Sequence, residues 1–273
     1  MQSQTIQRQY DEVIAPHYDL DPQSVIRPSL DRAAAQIQGQ NLFRAGARLR
    51  VLDLGIGTGL FLAKLKALAG EQLQPFGLDL SEKMIEIAGR RIPDLVAAVG
   101  DAADLAGHFP GESFDLICTH FITGFVPMRV LAPAIRDRLR QDGYWSLVGG
   151  TKAGFPALQA KANGRLVRRL YGGRTLAVDD IVCNPAGRDE VVRTLEENGF
   201  AIRASETFEP PLTFRNLQQF MEFAYRGGWL TPFVETVGLH KAGLMTRWLM
   251  NWFFFPVQDH HSIEITLAQK RNR

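Results

Sequence analysis

At 273 residues, 45% hydrophobic and 22% charged, the chain is long enough to bury a core without disulfide or metal staples. A net charge of +2 gives no argument for nucleic acid. Cys118 and Cys183, far apart and outside any metal-ligand spacing, exclude a disulfide framework and fit a reducing compartment such as the cytoplasm. The start, Met1-Gln2-Ser3-Gln4-Thr5, is polar and lacks a secretory apolar region. The longest apolar stretch, Leu244 to Val257, is interrupted by Arg247 and Asn251 and is too short to span a bilayer.

Residues 1–48 read as a helical cap. Ile6, Tyr10, Val13 and Ile14 share one face at helical spacing, Pro16 and Pro22 break the pattern, and a second helix falls within 23–43. Strands alternating with helices follow: strand 49–54, helix 58–69 stopping at Gly70, strand 75–80, helix 82–91 with Ser81 as its N-cap, and strand 95–99. Strand 114–119, helix 128–140 and strand 144–149 continue the series. A first interruption, 151–186, holds a helix over about 155–171. Helix 188–198 and strand 200–208 resume the alternation. A second interruption, 209–260, is rich in aromatics, and a strand at 262–268 closes the chain. This order predicts right-handed βαβ units in a parallel sheet covered on both faces. The core is then 49–150, 187–208 and 261–273. The two interruptions read as lid insertions over the crevice at the carboxyl ends of the strands.

The most informative stretch is Val-Leu-Asp-Leu-Gly-Ile-Gly-Thr-Gly-Leu at 51–60. A buried strand ends in Asp53, and Gly55, Gly57 and Gly59 turn the chain into a helix whose N-terminus presents free N–H groups. A dinucleotide fingerprint counted from Gly55 requires glycine at position 60, where Leu60 stands. No Lys-Ser/Thr follows, so the loop is not a P-loop either. The pattern resembles motif I of class I S-adenosylmethionine (SAM) methyltransferases. Asp79 ending strand two, Asp101-Ala102 after strand three, Leu139-Arg140-Gln141-Asp142-Gly143 and Leu195-Glu196-Glu197-Asn198-Gly199-Phe200 resemble further landmarks of that family in order. Gln9-Tyr10-Asp11 through His17-Tyr18-Asp19 looks like the "Y-D-x-x-A-x-x-Y-D" lead-in of its small-molecule, methyltransferase type 11 and quinone-methyltransferase-like members.

The resemblance implies an α/β, Rossmann-like seven-stranded sheet, mostly parallel with an antiparallel last strand, plus helical lid insertions. It implies SAM as cofactor and S-adenosylhomocysteine as product; no cluster of His, Asp and Glu has metal-ligand spacing, so no metal is expected. Asp53 would orient the turn and the methionine amino group. Gly55, Gly57 and Gly59 would pass under the sulfonium end, Asp79 with Leu80 would meet the ribose hydroxyls, and Asp101 with Ala102 the adenine. Tyr10 and Tyr18 either cover the cofactor or pack an amphipathic first helix.

Methyl transfer is an in-line displacement in which the enzyme supplies orientation and desolvation. A base is needed only where the acceptor must lose a proton. His120, directly after strand four, is the first candidate base and a crevice-edge residue; the alternative is a pocket-lining role. His17 is the second candidate. His260 and His261 read as a solvated doublet at a strand start, with one of them reaching the pocket as the alternative. His108 and His240 suggest no role. Phe121, Phe223 and Trp229 are candidate acceptor contacts. With Met221, Tyr225 and Phe233, the residues of this aromatic stretch either line a pocket or form the lid's own core. Trp252-Phe253-Phe254-Phe255 packs, lines a pocket, or touches a membrane or partner. Lys161, Arg165, Arg168 and Arg169 form a stripe that is either solvated or meets an anionic substrate or lipid surface. The expectation is methylation of a small apolar or aromatic metabolite, with oxygen favoured as the acceptor atom. One alternative is a quinone or prenyl-lipid methyltransferase in peripheral membrane contact. Another is a SAM-binding protein that does not methylate.

Overall fold

The computed structural model describes residues 3–40, 42, 48–164 and 182–272. Its strands are β1 (Leu49–Leu54), β2 (Leu73–Asp79), β3 (Val96–Val99), β4 (Phe114–His120), β5 (Leu139–Gly150), β6 (Phe200–Phe208), β7 (Pro211–Phe214), β8 (Val257–His260) and β9 (Ile263–Lys270). Seven of them form one sheet in the order β3-β2-β1-β4-β5-β9-β6. The pairs from β3 to β5 are parallel, and β9 runs antiparallel to both β5 and β6. This is the expected Rossmann-like sheet.

The described helices are α1 (Ser3–Gln9), α2 (Ile26–Gln38), α3 (Leu60–Ala69), α4 (Glu82–Arg91), α5 (Met128–Arg138), α6 (Pro156–Ala162), α7 (Arg188–Glu197), α8 (Leu217–Met221), α9 (Thr231–Thr236) and α10 (Leu244–Phe253). Residue alternation divides the strands between two buried faces. Val51, Leu116, Val148 and Ile265 pack toward Ala33, Ile37, Leu62 and Leu65 of α2 and α3. Leu52, Ile117, Leu147 and Ala268 pack toward Leu131, Ile135, Val191 and Leu195 of α5 and α7. Covering both faces explains why successive residues at the middle of β1 and β4, Val51-Leu52 and Leu116-Ile117-Cys118, are all apolar and buried.

Most element boundaries fall within a residue or two of expectation, and three features depart further. Strand five starts at Leu139 instead of 144, because Leu139 pairs with Phe114 and a bulge between Phe114 and Leu116 takes up the register. That ends the preceding helix at Arg138. The helix expected over 155–171 is described only as Pro156–Ala162; Arg165, Arg168 and Arg169 lie outside the described residues. The second interruption contains a feature with no local signal: β7 and β8, about forty residues apart, form a separate two-stranded antiparallel sheet.

Candidate active site

The crevice lies at the carboxyl ends of β1, β2, β4 and β5, where short loops leave the sheet. One set of its walls comes from β1 to β3 and the N-terminal segment: Tyr10, Tyr18, Gly55, Gly57, Asp79, Leu80, Asp101 and Ala102. The other comes from the ends of β4 and β5 and from both interruptions: His120, Phe121, Thr123, Thr151, Phe155, Trp229 and His261 among them.

The glycine turn is tightly specified. Gly55, Gly57 and Gly59 all adopt positive φ (72°, 55° and 79°). A Cβ on Gly55 would stand 2.1 Å from Ile122 Cγ2. Asp79 braces the turn: Oδ2 accepts from Gly57 N at 2.8 Å and Oδ1 from Ser81 N at 2.9 Å. Burial pushes Asp79 up to about 6, against the opposing pull of those N–H bonds. Behind the turn, Asp53 is buried and its Oδ1 has no hydrogen-bond partner. Burial, and secondarily the charge of Asp79, holds its carboxyl well above the usual carboxylate range.

The N-terminal segment folds onto this turn. Helix α1 continues into a wide π-helical turn, Tyr10–Ile14, which places Tyr10 on the cavity wall. Two aspartates fasten the segment. Asp11 Oδ1 accepts from Ser81 Oγ at 2.5 Å and from Lys83 N at 3.2 Å. Asp19 accepts from Thr58 Oγ1 at 2.5 Å and from the Arg91 guanidinium, which also donates to Thr58 O at 2.5 Å. In each Tyr-Asp pair the tyrosine therefore lines the cavity while the aspartate ties the segment to the core.

The opposite wall is aromatic and strained. Phe121 and Phe155 both adopt positive φ (62° and 59°), rare for bulky residues. His120 is buried; its Nε2 lies 3.1 Å from Ser146 Oγ, its ring stands edge-on to Phe61 at 4.1 Å, and its Nδ1 has no partner. His261 is also buried, stacked on Phe155 at 4.3 Å and edge-on to Trp229 at 5.1 Å, again with Nδ1 unpartnered. Burial pushes both imidazoles down to about 3, so both are neutral at physiological pH. Thr123 Oγ1 is a third buried polar atom on this wall without a partner. Small residues make the room: a Cβ on Gly154 would lie 2.4 Å from His261 Nδ1, and one on Gly149 2.3 Å from Thr123 Oγ1.

The family described as "Methyltransferase domain" matches residues 51–143, the span from β1 into β5. Demethylmenaquinone methyltransferase from Thermotoga maritima is 44% identical over 59% of this chain and 72% of its own length. The chain belongs to the class I SAM-dependent methyltransferases. A dTDP-4-amino-2,3,4,6-tetradeoxy-D-glucose N,N-dimethyltransferase from Saccharopolyspora spinosa is 38% identical to this methyltransferase over 28% of each chain. The solved YcgJ protein of Bacillus subtilis shares its fold, with a TM-score of 0.57 and 22% identity over 88% of this chain and 99% of that one.

The remaining sequence candidates of the methyltransferase fall away from the cavity wall. Gly59 is the N-terminal boundary of α3 and faces Ala88 and Ile92 of α4, so its glycine serves helix packing. Phe223 is fully buried one layer behind the wall, stacked 5.4 Å from Trp229. The His17 Nδ1 lies 3.1 Å from Val13 O, within its own segment, and His17 does not border the cavity. His261 reverses the reading of a solvated doublet. Its N–H bonds Pro210 O, and Thr151 N bonds Ser262 O, which draws the β8–β9 turn over the crevice. Asn184, Gln159 and Lys152 also border the cavity and carried no sequence signal. The site fits SAM on its own evidence of chemistry: an orphaned buried carboxylate oxygen at Asp53, a Cβ-free turn, and two tyrosine rings beside it. Among the described residues no group of histidine, cysteine, aspartate and glutamate could hold a metal.

Proposed function

We propose that the cavity holds SAM against the β1–β3 wall and methylates a small, uncharged, hydroxyl-bearing aromatic acceptor against the β4–β5–β9 wall. The observation that carries this reading is the makeup of the second wall. It presents the rings of Phe121, Phe155 and Trp229 with a neutral imidazole set among them, and the carboxylates among the described lining residues, Asp79 and Asp101, both belong to the other wall. A cationic amine would be buried there without a counter-charge, which is costly. A phenol or hydroquinone would bury its ring on aromatic faces and hydrogen-bond through its hydroxyl. The curated relative that acts on demethylmenaquinone supports an acceptor of this class.

The cofactor supplies an electrophilic methyl group on a sulfonium sulfur. The Asp79 carboxylate, beside Leu80, would accept from the ribose hydroxyls, Asp101 and Ala102 would border the adenine, and the unpartnered Asp53 Oδ1 would meet the methionine amino group. Tyr10 and Tyr18 exclude water from above. The neutral His261 imidazole accepts a hydrogen bond from the acceptor hydroxyl through Nδ1 and aims its oxygen at the methyl group; as the oxygen–carbon bond forms and the carbon–sulfur bond breaks, the hydroxyl proton leaves to water. His120 is a second imidazole on the same wall, less free because Ser146 engages its Nε2.

An acceptor panel tests the reading. Simple hydroquinones and phenols should release S-adenosylhomocysteine, and primary amines of similar size should not; the reverse preference overturns it. His261→Ala should lower turnover about 100-fold or more with SAM affinity intact, and His120→Ala should lower it less. Because both imidazoles stay neutral well below pH 6, turnover should not fall between pH 8 and pH 6 through their protonation.

A further inference from the structure

We infer that α10 is a lipid-docking helix that lies in the interface of an anionic membrane. Unlike a helix that buries its apolar face on its own core, it turns most of its large apolar side chains to the outside. Leu244, Met245, Trp248, Leu249, Trp252 and Phe253 recur at i, i+1, i+4, i+5, i+8 and i+9, which fills one half of the helix circumference. That half faces outward: Leu244 is 87% exposed, Trp248 62%, Trp252 70% and Phe253 71%. No residue of the helix is buried. The opposite side anchors the helix through little: Met250 packs partly buried against the core, and Asn251 Oδ1 accepts from Leu217 N at 2.7 Å. Trp248 and Trp252 stack on each other at 6.1 Å, so the two largest apolar side chains form one protruding plate. An exposed patch of this density on a monomer marks a contact surface.

The charge pattern selects the occupant. From 236 to 258 there is no aspartate or glutamate, while Lys241 and Arg247 flank the apolar face. A third cation, Lys161 of α6, sits at the far end, donating to Phe254 O at 2.5 Å with its ammonium 5.3 Å from the Phe254 ring. Tryptophan and phenylalanine on the outer face with lysine and arginine at the margins is the composition of a helix lying at the boundary of anionic headgroups and acyl chains. A second protein copy would call for charges of both signs at the rim, and none of the acidic sign is present in this segment. The helix is also mechanically joined to the cavity. Phe255, just past its end, touches Phe220; then Phe214, Phe223 and finally Trp229 of the cavity wall follow, each ring 5.3–5.8 Å from the next. This inference stands whether or not the acceptor assignment above is correct.

The test uses the full chain and vesicles of phosphatidylcholine and phosphatidylglycerol. The protein should co-sediment with mixed vesicles and much less with phosphatidylcholine alone. Tryptophan emission should shift to the blue and be quenched by acyl-chain-brominated lipid, because only Trp248 and Trp252 of the four tryptophans are exposed. The double substitution Trp248→Ser/Trp252→Ser should weaken partitioning at least tenfold and leave calorimetric SAM affinity unchanged. Lys241→Glu/Arg247→Glu should weaken it selectively on anionic vesicles. Absence of vesicle binding overturns the inference. So does a dimer by sedimentation velocity that the tryptophan double variant converts to monomer without any vesicle binding. Emission already blue and unmoved by vesicles would show that another part of the chain covers the face, and overturns it equally.

Discussion

Asp79 braces Gly57 N and Ser81 N and also borders the cavity, so in the proposed reading one carboxylate serves both the turn and the ligand. Because burial lifts it to about 6, a ligand that needs the ionised form must displace a proton at mildly acidic pH. The dissociation constant for SAM is therefore expected to be flat above pH 7 and to rise by about tenfold per unit below pH 6. Asp79→Asn should weaken binding by about 1–3 kcal/mol and flatten that profile; calorimetry at pH 5, 6 and 7.5 decides it, and an unchanged profile in the variant removes Asp79 from the binding surface. This residue was readable from sequence because an acid at the end of a parallel strand has one place to point. His261 was not, because its burial depends on room left by Gly150 and Gly154, more than a hundred residues earlier. Phe223 was misplaced by one layer for the same reason: helical spacing shows that it faces inward, but not that Trp229 stands in front of it.

The N-terminal segment and the two late interruptions are the elements that enclose the crevice, and each is tied down by carboxylates. Asp11 and Asp19 latch the first, and Asp259 of β8 accepts from Ala157 N at 3.1 Å and Leu158 N at 2.8 Å, which joins α6 to the second interruption. Asp19→Ala should loosen the segment bearing Tyr10 and Tyr18 without disturbing the sheet. Expected results are a severalfold weaker SAM affinity, faster amide exchange over residues 6–20, and a thermal midpoint changed by only a few degrees. Unchanged exchange would show that the segment is held by its apolar contacts alone. The elements of the sheet were legible because strand and helix periods alternate cleanly from 49 to 150. The β7–β8 sheet was not, since its two short strands meet only in space.

For the whole molecule, the buried imidazoles set the acid side of stability. An unfolded imidazole titrates near about 6.5, whereas His261 in the fold lies at about 3. Between those values the unfolded chain binds more protons, so the contribution of His261 is full above about pH 6.5 and is lost as pH falls. His120 acts in the same sense. Asp53 and Asp79, raised in the fold, act in the opposite sense, so a single pH curve mixes the two. A difference isolates one group. The stability of His261→Phe relative to the parent, from urea unfolding, should improve by about 2 kcal/mol between pH 7 and pH 5; a constant difference would mean that His261 is hydrated. The strand order has a consequence of another kind. β9, drawn from residues 263–270, lies between β5 and β6 and is the sole strand of the main sheet paired with β6. During synthesis the glycine turn and β1–β5 are complete by residue 150, while the wall that carries His261 waits for that residue and the strand that follows it. A growing chain thus acquires the glycine-turn wall early and spends the rest of translation with β5 as an open sheet edge. That interval is when a nascent-chain chaperone, or SAM itself, has most to protect.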